Sequence, residues 1–210
     1  VSKDGAGELS LTGANTYTGV TTITSGTLNI AAGGSAGSLV SDVLNNATLV
    51  FERSDDYSYT GAISGSGELK QSGSGVLSLS GVNSYTGGTV FEAGVLEAGS
   101  VAALSSSGVL GFSGGTLRYS ANNQVDYSSR VSATANAYRI DTAGQSVTFA
   151  TGLTANSASM TKLGLGSLTL TANNTFAGNT TVTGGTLRLG SIAQFGSGAY
   201  AGAISLASGS

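Results

Sequence analysis

Apolar and polar residues alternate in short runs along this chain of 210 residues. In TLNI (27–30), VLEA (95–98) and TLRL (186–189), leucine takes the second place and a polar or charged residue the third. Alternation with a period of two, closed by Gly, Ser or Asn, is typical of short β-strands joined by turns. No apolar spacing of helical period runs far enough to predict a helix. We therefore expect an all-β protein whose leucines face one side of each strand.

One stretch of the sequence occurs three times without gaps. GELSLTGANTYTGVTTITSGTLNI at 7–30 returns as GVLSLSGVNSYTGGTVFEAGVLEA at 75–98 and as GSLTLTANNTFAGNTTVTGGTLRL at 166–189, at offsets of 68 and 91 residues. Three units of about 22.7 residues fit the first offset and four fit the second, which predicts a unit of about 22 residues. A series of apolar residues spaced mostly 21 to 24 apart agrees: Leu28, Leu49, Leu96, Leu117, Ile140, Leu163 and Leu187.

A unit of this size cannot bury an apolar face by itself, but it can when each coil lies on the next. We therefore predict a β-solenoid of about nine coils, continuous over residues 1–210. The absence of proline agrees, because each interior strand must donate its N–H groups to a neighbouring coil. Because the pattern continues to both ends, we expect part of a longer repeat array, or a subunit that stacks end to end into a filament.

Composition excludes several kinds of chemistry. The chain has no Cys and no His, so thiolate nucleophiles, zinc sites of the usual kind and histidine bases are excluded, and no cofactor or metal is expected. Eight scattered basic residues and a net charge of −3 predict no nucleic-acid partner. No apolar run approaches the roughly 20 residues of a membrane-spanning helix, so we expect no membrane insertion by this segment.

The sharpest enzymatic candidate is the acidic turn that holds Asp55 and Asp56, directly after the strand-like run TLVF (48–51). Clustered carboxylates are what glycan-processing enzymes require, and the alternative is a solvated loop. We favour the solvated loop and keep Asp55 and Asp56 as a candidate ligand loop.

Two further sets of residues recur in the repeats. Asn15, Asn83 and Asn174 could form a row facing a ligand, but we favour structural turn amides that cap the backbone. Tyr17, Tyr85 and Phe176 could stack on carbohydrate. Since the third copy has no hydroxyl, we favour packing against a neighbouring coil.

The pattern G-x-L-x-L-T-G-x-N-T-Y-T-G-x-T-T-(I/V)-x-x-G-T-L resembles the autotransporter passenger-associated strand repeat of bacterial surface proteins. It departs where Gly13 and Gly81 become Ala172. The resemblance implies a right-handed parallel β-helix located on the cell surface or secreted. It also implies a non-enzymatic stalk or adhesin, with adjoining repeats, surface glycans or other cells as partners. The alternatives are the end-to-end filament subunit and a β-helical glycan-processing enzyme.

Overall fold

The computed structural model describes residues 1–190, 195, 200 and 202–206. Within them the chain forms short β-strands and a single turn of 3₁₀ helix, Ser128–Arg130. The strands are β1 (Ser2–Lys3), β2 (Glu8–Leu11), β3 (Thr21–Ile23), β4 (Thr27–Ile30), β5 (Val43–Asn45), β6 (Thr48–Phe51), β7 (Tyr57–Tyr59), β8 (Ile63–Ser64), β9 (Glu68–Gln71), β10 (Val76–Leu79), β11 (Thr89–Phe91), β12 (Val95–Ala98), β13 (Leu110–Phe112), β14 (Thr116–Arg118), β15 (Ala137–Asp141), β16 (Ser146–Phe149), β17 (Ser159–Leu163), β18 (Ser167–Leu170), β19 (Thr180–Val182), β20 (Thr186–Leu189) and β21 (Ile204–Leu206).

These strands form four parallel sheets. Sheet 1 has the order β1-β3-β5-β8, sheet 2 β2-β4-β6-β9-β11-β13, sheet 3 β7-β10-β12-β14-β15-β17-β19-β21 and sheet 4 β16-β18-β20. The chain passes from one sheet to the next and returns one coil higher, which makes a parallel β-helix of about ten turns. The predicted all-β solenoid is confirmed. Within the described ranges, no helix has the length and apolar character needed to cross a membrane.

In sheet 2 the coils are shorter than the sequence spacing predicts, whereas in sheet 3 the steps from Leu117 to Ile140 and from Ile140 to Lys162 span 23 and 22 residues. In sheet 2, Leu9 lies opposite Leu28, Leu28 opposite Leu49, and Leu49 opposite Leu69. The unit inferred from the offsets between copies is therefore too long for these coils. That prediction assumed that a whole number of coils separates the copies of the repeat, and the register shows that it does not.

Each copy of the repeat starts one sheet later than the copy before it. Three coils in sheet 2 lead from Leu9 to Leu69. Leu77, which corresponds to Leu9 in the second copy, lies eight residues further along the chain, on sheet 3. From Leu77, four coils in sheet 3 end at Lys162, and the third copy's Leu168 lies six residues further, on sheet 4. Sheet 4 follows sheet 3 along the chain, which is the place that sheet 1 takes in earlier coils.

This advance explains why the apolar series in the sequence mixes different columns. Leu28 and Leu49 stack in sheet 2, whereas Leu96, Leu117 and Ile140 stack in sheet 3. The next inward residue in that column is the fully buried Lys162, while Leu163 lies on the outer side and is only partly buried. Leu163 therefore lies in a strand, as its spacing predicts, but outside the stacked inward column.

The core is a continuous stack of inward side chains. Leu28, Leu49 and Leu69 are fully buried. Aromatic rings continue the stacking between coils, and the centroids of Phe91 and Phe112 are 4.7 Å apart. Burial of such side chains stabilises the fold by about 2 kcal/mol each. Because every coil shares its core with its neighbours, stability depends on contacts between coils.

A buried polar side chain precedes each copy. The offsets of 68 and 91 residues between the copies also separate Lys3, Gln71 and Lys162. Each of these residues is followed by the pattern x-Gly-x-Gly. Lys162 Nζ donates to the carbonyl oxygens of Leu163, Gly164 and Gly184 at 2.8, 2.7 and 3.0 Å. The Lys3 and Gln71 side chains likewise donate to carbonyl oxygens of their own glycine turns. These residues satisfy backbone acceptors that the core would otherwise leave without a partner.

Candidate ligand-binding groove

The outer surface of sheet 2 carries polar side chains in three columns that run along the helix axis. The first column contains Glu8, Thr27, Thr48 and Glu68, and the second contains Ser10, Asn29, Val50 and Lys70, as the strand register shows. The third lies just after the strands and contains Glu52, Ser72 and Glu92. Four of the eleven acidic residues of the chain therefore share one face with a single lysine.

These columns border an open groove of about 360 Å³. Its lining is polar apart from one valine: Glu8, Thr27, Asn29, Thr48, Val50, Glu52, Lys70, Ser72 and Glu92. Hydroxyl, carboxylate, amide and ammonium groups point into the same space, which suits a polar ligand. A second depression of about 280 Å³ lies beside Tyr57 and Tyr59. There both tyrosine hydroxyls already donate to backbone carbonyls, those of Leu39 and Ser41.

At one end of the groove a lysine lies between two glutamates. Lys70 Nζ is 3.3 Å from a carboxylate oxygen of Glu68 and 3.3 Å from one of Glu92. Partial burial lowers the pKa of Lys70, but the two carboxylates outweigh it and the net pKa lies above the usual value. This lysine therefore remains charged at neutral pH.

At the other end an asparagine takes the equivalent place. Asn29 Nδ2 donates to Glu8 at 3.2 Å and to Glu52 at 2.7 Å, each on a neighbouring coil. Asn29 is the polar third residue of the run TLNI and lies on the outer side of β4, where an exposed side chain is expected. Asn29 instead is only 6% exposed. Among the described residues its Oδ1 has no hydrogen-bond partner.

The acidic turn at 52–56 is engaged in structural contacts. Asp55 forms an ion pair with Arg53 at 2.8 Å. Arg53 also donates to the carbonyl oxygens of Ser35 and Gly37 and lies over a tyrosine ring. Asp56 Oδ1 accepts from the backbone N–H of Val76 at 3.0 Å. In the described part of the chain no group of three or more acidic side chains is placed to hold a metal ion.

The recurring asparagines bind backbone groups. Asn83 Oδ1 accepts from the Ile63 N–H at 2.8 Å, and its Nδ2 donates to the Ala103 carbonyl at 2.7 Å. Asn174 accepts from the Leu153 N–H at 2.9 Å and is buried. Asn15 is half-buried, and its Nδ2 donates to the carbonyls of Gly13 and Ser38 at 3.0 Å each. In these positions the amides hold neighbouring coils together.

The recurring aromatic residues differ in exposure. Tyr85 is fully buried, and its hydroxyl lies 2.6 Å from Thr89 Oγ1. Tyr17 is half-buried and accepts from Thr21 Oγ1 at 3.2 Å. Phe176 is fully buried and has no hydroxyl. There the hydroxyl of Tyr200 reaches the equivalent threonine, Thr180, at 2.7 Å.

Sequence reasoning missed the groove because its members do not recur between copies. Glu8, Asn29 and Glu52 come from three coils, and their proximity depends on a register that the predicted period placed incorrectly. The buried residues Lys3, Gln71 and Lys162 did leave a signal, since they recur at the same offsets as the recognised copies and stand just ahead of them.

Comparison with known proteins agrees with these internal copies. The family described as Passenger-associated-transport-repeat matches residues 1–30, 69–98 and 160–189. Each match starts six residues ahead of the copy read from the sequence, and therefore includes the buried Lys or Gln.

A stretch of 53 residues, 25% of the chain, is 53% identical to "Adhesin BmaC autotransporter" of Brucella suis biovar 1 (strain 1330). That stretch spans 2% of the length of the adhesin. No solved structure matches the chain. Three segments of the chain, 90 of its 210 residues, therefore match the family that the sequence pattern resembles.

Proposed function

We propose that this chain is a segment of an adhesive, non-enzymatic passenger that acts outside a bacterial cell, on its surface or after release. The three family matches and the identity with an autotransporter adhesin support this proposal. The β-helix provides a rigid stalk, and the groove on the outer surface of sheet 2 is the surface that contacts a partner.

The observation that carries the proposal is that the recurring residues have structural contacts, whereas the outward residues of the groove differ between copies. Residues that recur in all three copies bind the backbone or fill the core, as Asn83 and Leu77 do. The residues that line the groove do not recur, as expected where a stalk keeps its fold and varies its contact surface.

A bead assay tests the adhesive role. Beads coated with residues 1–210 are applied to a panel of cultured cells and immobilised glycans, beside albumin-coated beads. We expect the protein beads to bind at least one surface more strongly, and the variant Glu52→Gln/Glu92→Gln to lose that binding. The matched variant Glu97→Gln, on the outer surface of sheet 3, is expected to retain it. Equal binding by the protein and albumin beads on every surface would contradict the proposal.

A glycan-processing role for Asp55 and Asp56 finds less support, because both carboxylates have structural partners. The double variant Asp55→Asn/Asp56→Asn tests it against any glycan whose cleavage the chain supports. An unchanged rate would exclude these residues as catalytic, and a lost rate with an intact fold would favour the enzyme.

The filament predicted from the sequence stays a prediction. Sedimentation velocity over a range of concentrations tests it. Sedimentation coefficients that increase with protein concentration would support end-to-end stacking. A monomer at every concentration would contradict it.

A further inference from the structure

On the outer surface of this β-helix, acidic residues on different coils are bridged by a cation in two places. Lys70 lies between Glu68 and Glu92. On sheet 3, Arg118 lies between Glu97 at 3.9 Å and Asp141 at 3.1 Å. In both places the positive side chain lowers the electrostatic repulsion between carboxylates on different coils.

The third place of this kind lacks a cation of its own. Glu8 and Glu52 lie on either side of Asn29, and among the described residues no Lys or Arg pairs with either glutamate. Asn29 belongs to the same column as Lys70, two coils away. Glu8 and Glu52 come from the coils before and after that of Asn29, as Glu97 and Asp141 do around Arg118, whereas Lys70 pairs with Glu68 of its own coil and Glu92 of the next.

The groups around Asn29 match the donors of a primary ammonium. An ammonium has three N–H donors and no acceptor. The place offers three acceptors, namely the two carboxylates and Asn29 Oδ1, which is buried without a partner. The oxygen and nitrogen of a carboxamide have nearly the same shape. Rotation about the last side-chain bond can therefore replace Nδ2 by Oδ1 when a cation is present.

We propose that Glu8, Asn29 and Glu52 bind the primary ammonium group of an external ligand, with the rest of the ligand in the groove. Lys70 provides the internal precedent for the chemistry. Ca²⁺ takes six to eight oxygen ligands, and three side chains on an open surface supply fewer. The inference rests on the proposed function in that it gives the contact surface a ligand class, molecules that present the primary ammonium of a lysine side chain.

Binding of a lysine mimic tests the inference. Nα-acetyl-lysine amide is titrated into ¹⁵N-labelled residues 1–210 at low ionic strength, while the Asn29 side-chain amide resonance is followed by NMR. The neutral analogue Nα-acetyl-norleucine amide and CaCl₂ are titrated separately. We expect the lysine mimic to shift the resonance with an affinity at least tenfold higher than that of the norleucine analogue.

Three variants make the test specific. Glu52→Gln removes one carboxylate and is expected to weaken binding at least tenfold. Asn29→Lys supplies an internal ammonium, as at Lys70, and is expected to abolish binding while leaving the unfolding midpoint unchanged or raised. Glu97→Gln, on another face, is expected to bind as the parent chain does. For variants that lack the Asn29 amide, backbone resonances of the flanking residues are followed.

Several outcomes would overturn the inference. The first is equal affinity for the lysine and norleucine analogues, and the second is retained binding by Asn29→Lys. The third is a shift of the Asn29 resonance with CaCl₂ but not with the lysine mimic. Should Glu52→Gln fail to fold, Asn29→Lys still decides the matter. Loss of bead adhesion with intact amine binding would count against the proposed function only, and the reverse would count against this inference only.

Discussion

Lys162 Nζ donates to the carbonyl oxygen of Gly184 across 3.0 Å, and the two residues lie on adjacent coils. The lysine is fully buried, although a buried ammonium is costly without partners. Three carbonyl oxygens supply these partners. The interaction joins a residue ahead of the third copy to a glycine within it, so the repeat is held together by contacts between coils.

Replacing Lys162 tests this role. Lys162→Met keeps the length of the side chain but leaves the three carbonyls without a donor, and we expect it to lower the free energy of unfolding by about 3 kcal/mol. Lys162→Gln is the matched control, because Gln71 binds two carbonyls at the equivalent place. We expect the glutamine variant to lose less than half as much in chemical denaturation. Equal losses would show that the donors contribute nothing.

The same lysine gives a pH dependence. Burial lowers the pKa of Lys162, and the opposing effect of Asp141 is smaller. Between the lowered pKa and about 10.5, the unfolded chain binds more protons than the folded one. The free energy of unfolding of the parent chain should therefore rise with pH, relative to Lys162→Gln, within that window. A difference that stays flat or falls, measured by denaturation at several alkaline pH values, would contradict this.

Tyr85 should respond to alkali in the opposite direction. Burial raises the pKa of Tyr85 to about 12, although its hydrogen bond to Thr89 counteracts part of the rise. The stability that the phenol contributes is complete below pH 10 and is lost as the pH rises through the folded pKa. Tyr85→Phe should cost about 1 kcal/mol at pH 8. The gap to the parent chain should narrow between pH 10 and 12, and a constant gap would refute the assignment.

Gly94 tests how closely the coils approach. Its φ is +51°, and a Cβ there would lie 2.4 Å from the Gly73 carbonyl oxygen and 2.5 Å from that of Gly75. Gly144 has φ +86° and open space around it. We expect Gly144→Ala to cost about 1–2 kcal/mol from backbone strain alone. Gly94→Ala should cost at least twice as much, and similar losses in thermal unfolding would argue against close contact between the turns.

The solenoid could be predicted from the sequence because its signals are local. The alternation in runs such as VLEA identifies strands, and the inward leucines Leu77 and Leu96 are paired in the structure. Which residues of successive coils lie opposite each other could not be predicted in the same way. The offset between the first two copies fits three coils of the predicted length, or three shorter coils and a step to the next sheet, and composition does not distinguish these.

The groove could not be predicted because it depends on that register between coils. Glu8, Asn29 and Glu52 are 21 and 23 residues apart, with no shared motif. A register error of one residue would move a side chain to the opposite face. Asp55 and Asp56 attracted attention instead because they are adjacent in sequence, which carries no information about their partners across coils.

The central claim is the register of the shorter coils, because the advance of the copies and the groove both depend on it. The chain has no cysteine, so introduced pairs are unambiguous. Ser58 lies opposite Ser78 in adjacent strands, and such Cα atoms are about 5 Å apart, within the range of a disulfide. Ser80 is two residues further along, at about 8 Å from Ser58 by strand geometry. We expect the Ser58→Cys/Ser78→Cys variant to form an intramolecular disulfide rapidly on oxidation, and Ser58→Cys/Ser80→Cys, which matches the longer coil predicted from the sequence, to form little. The reverse order would contradict the account.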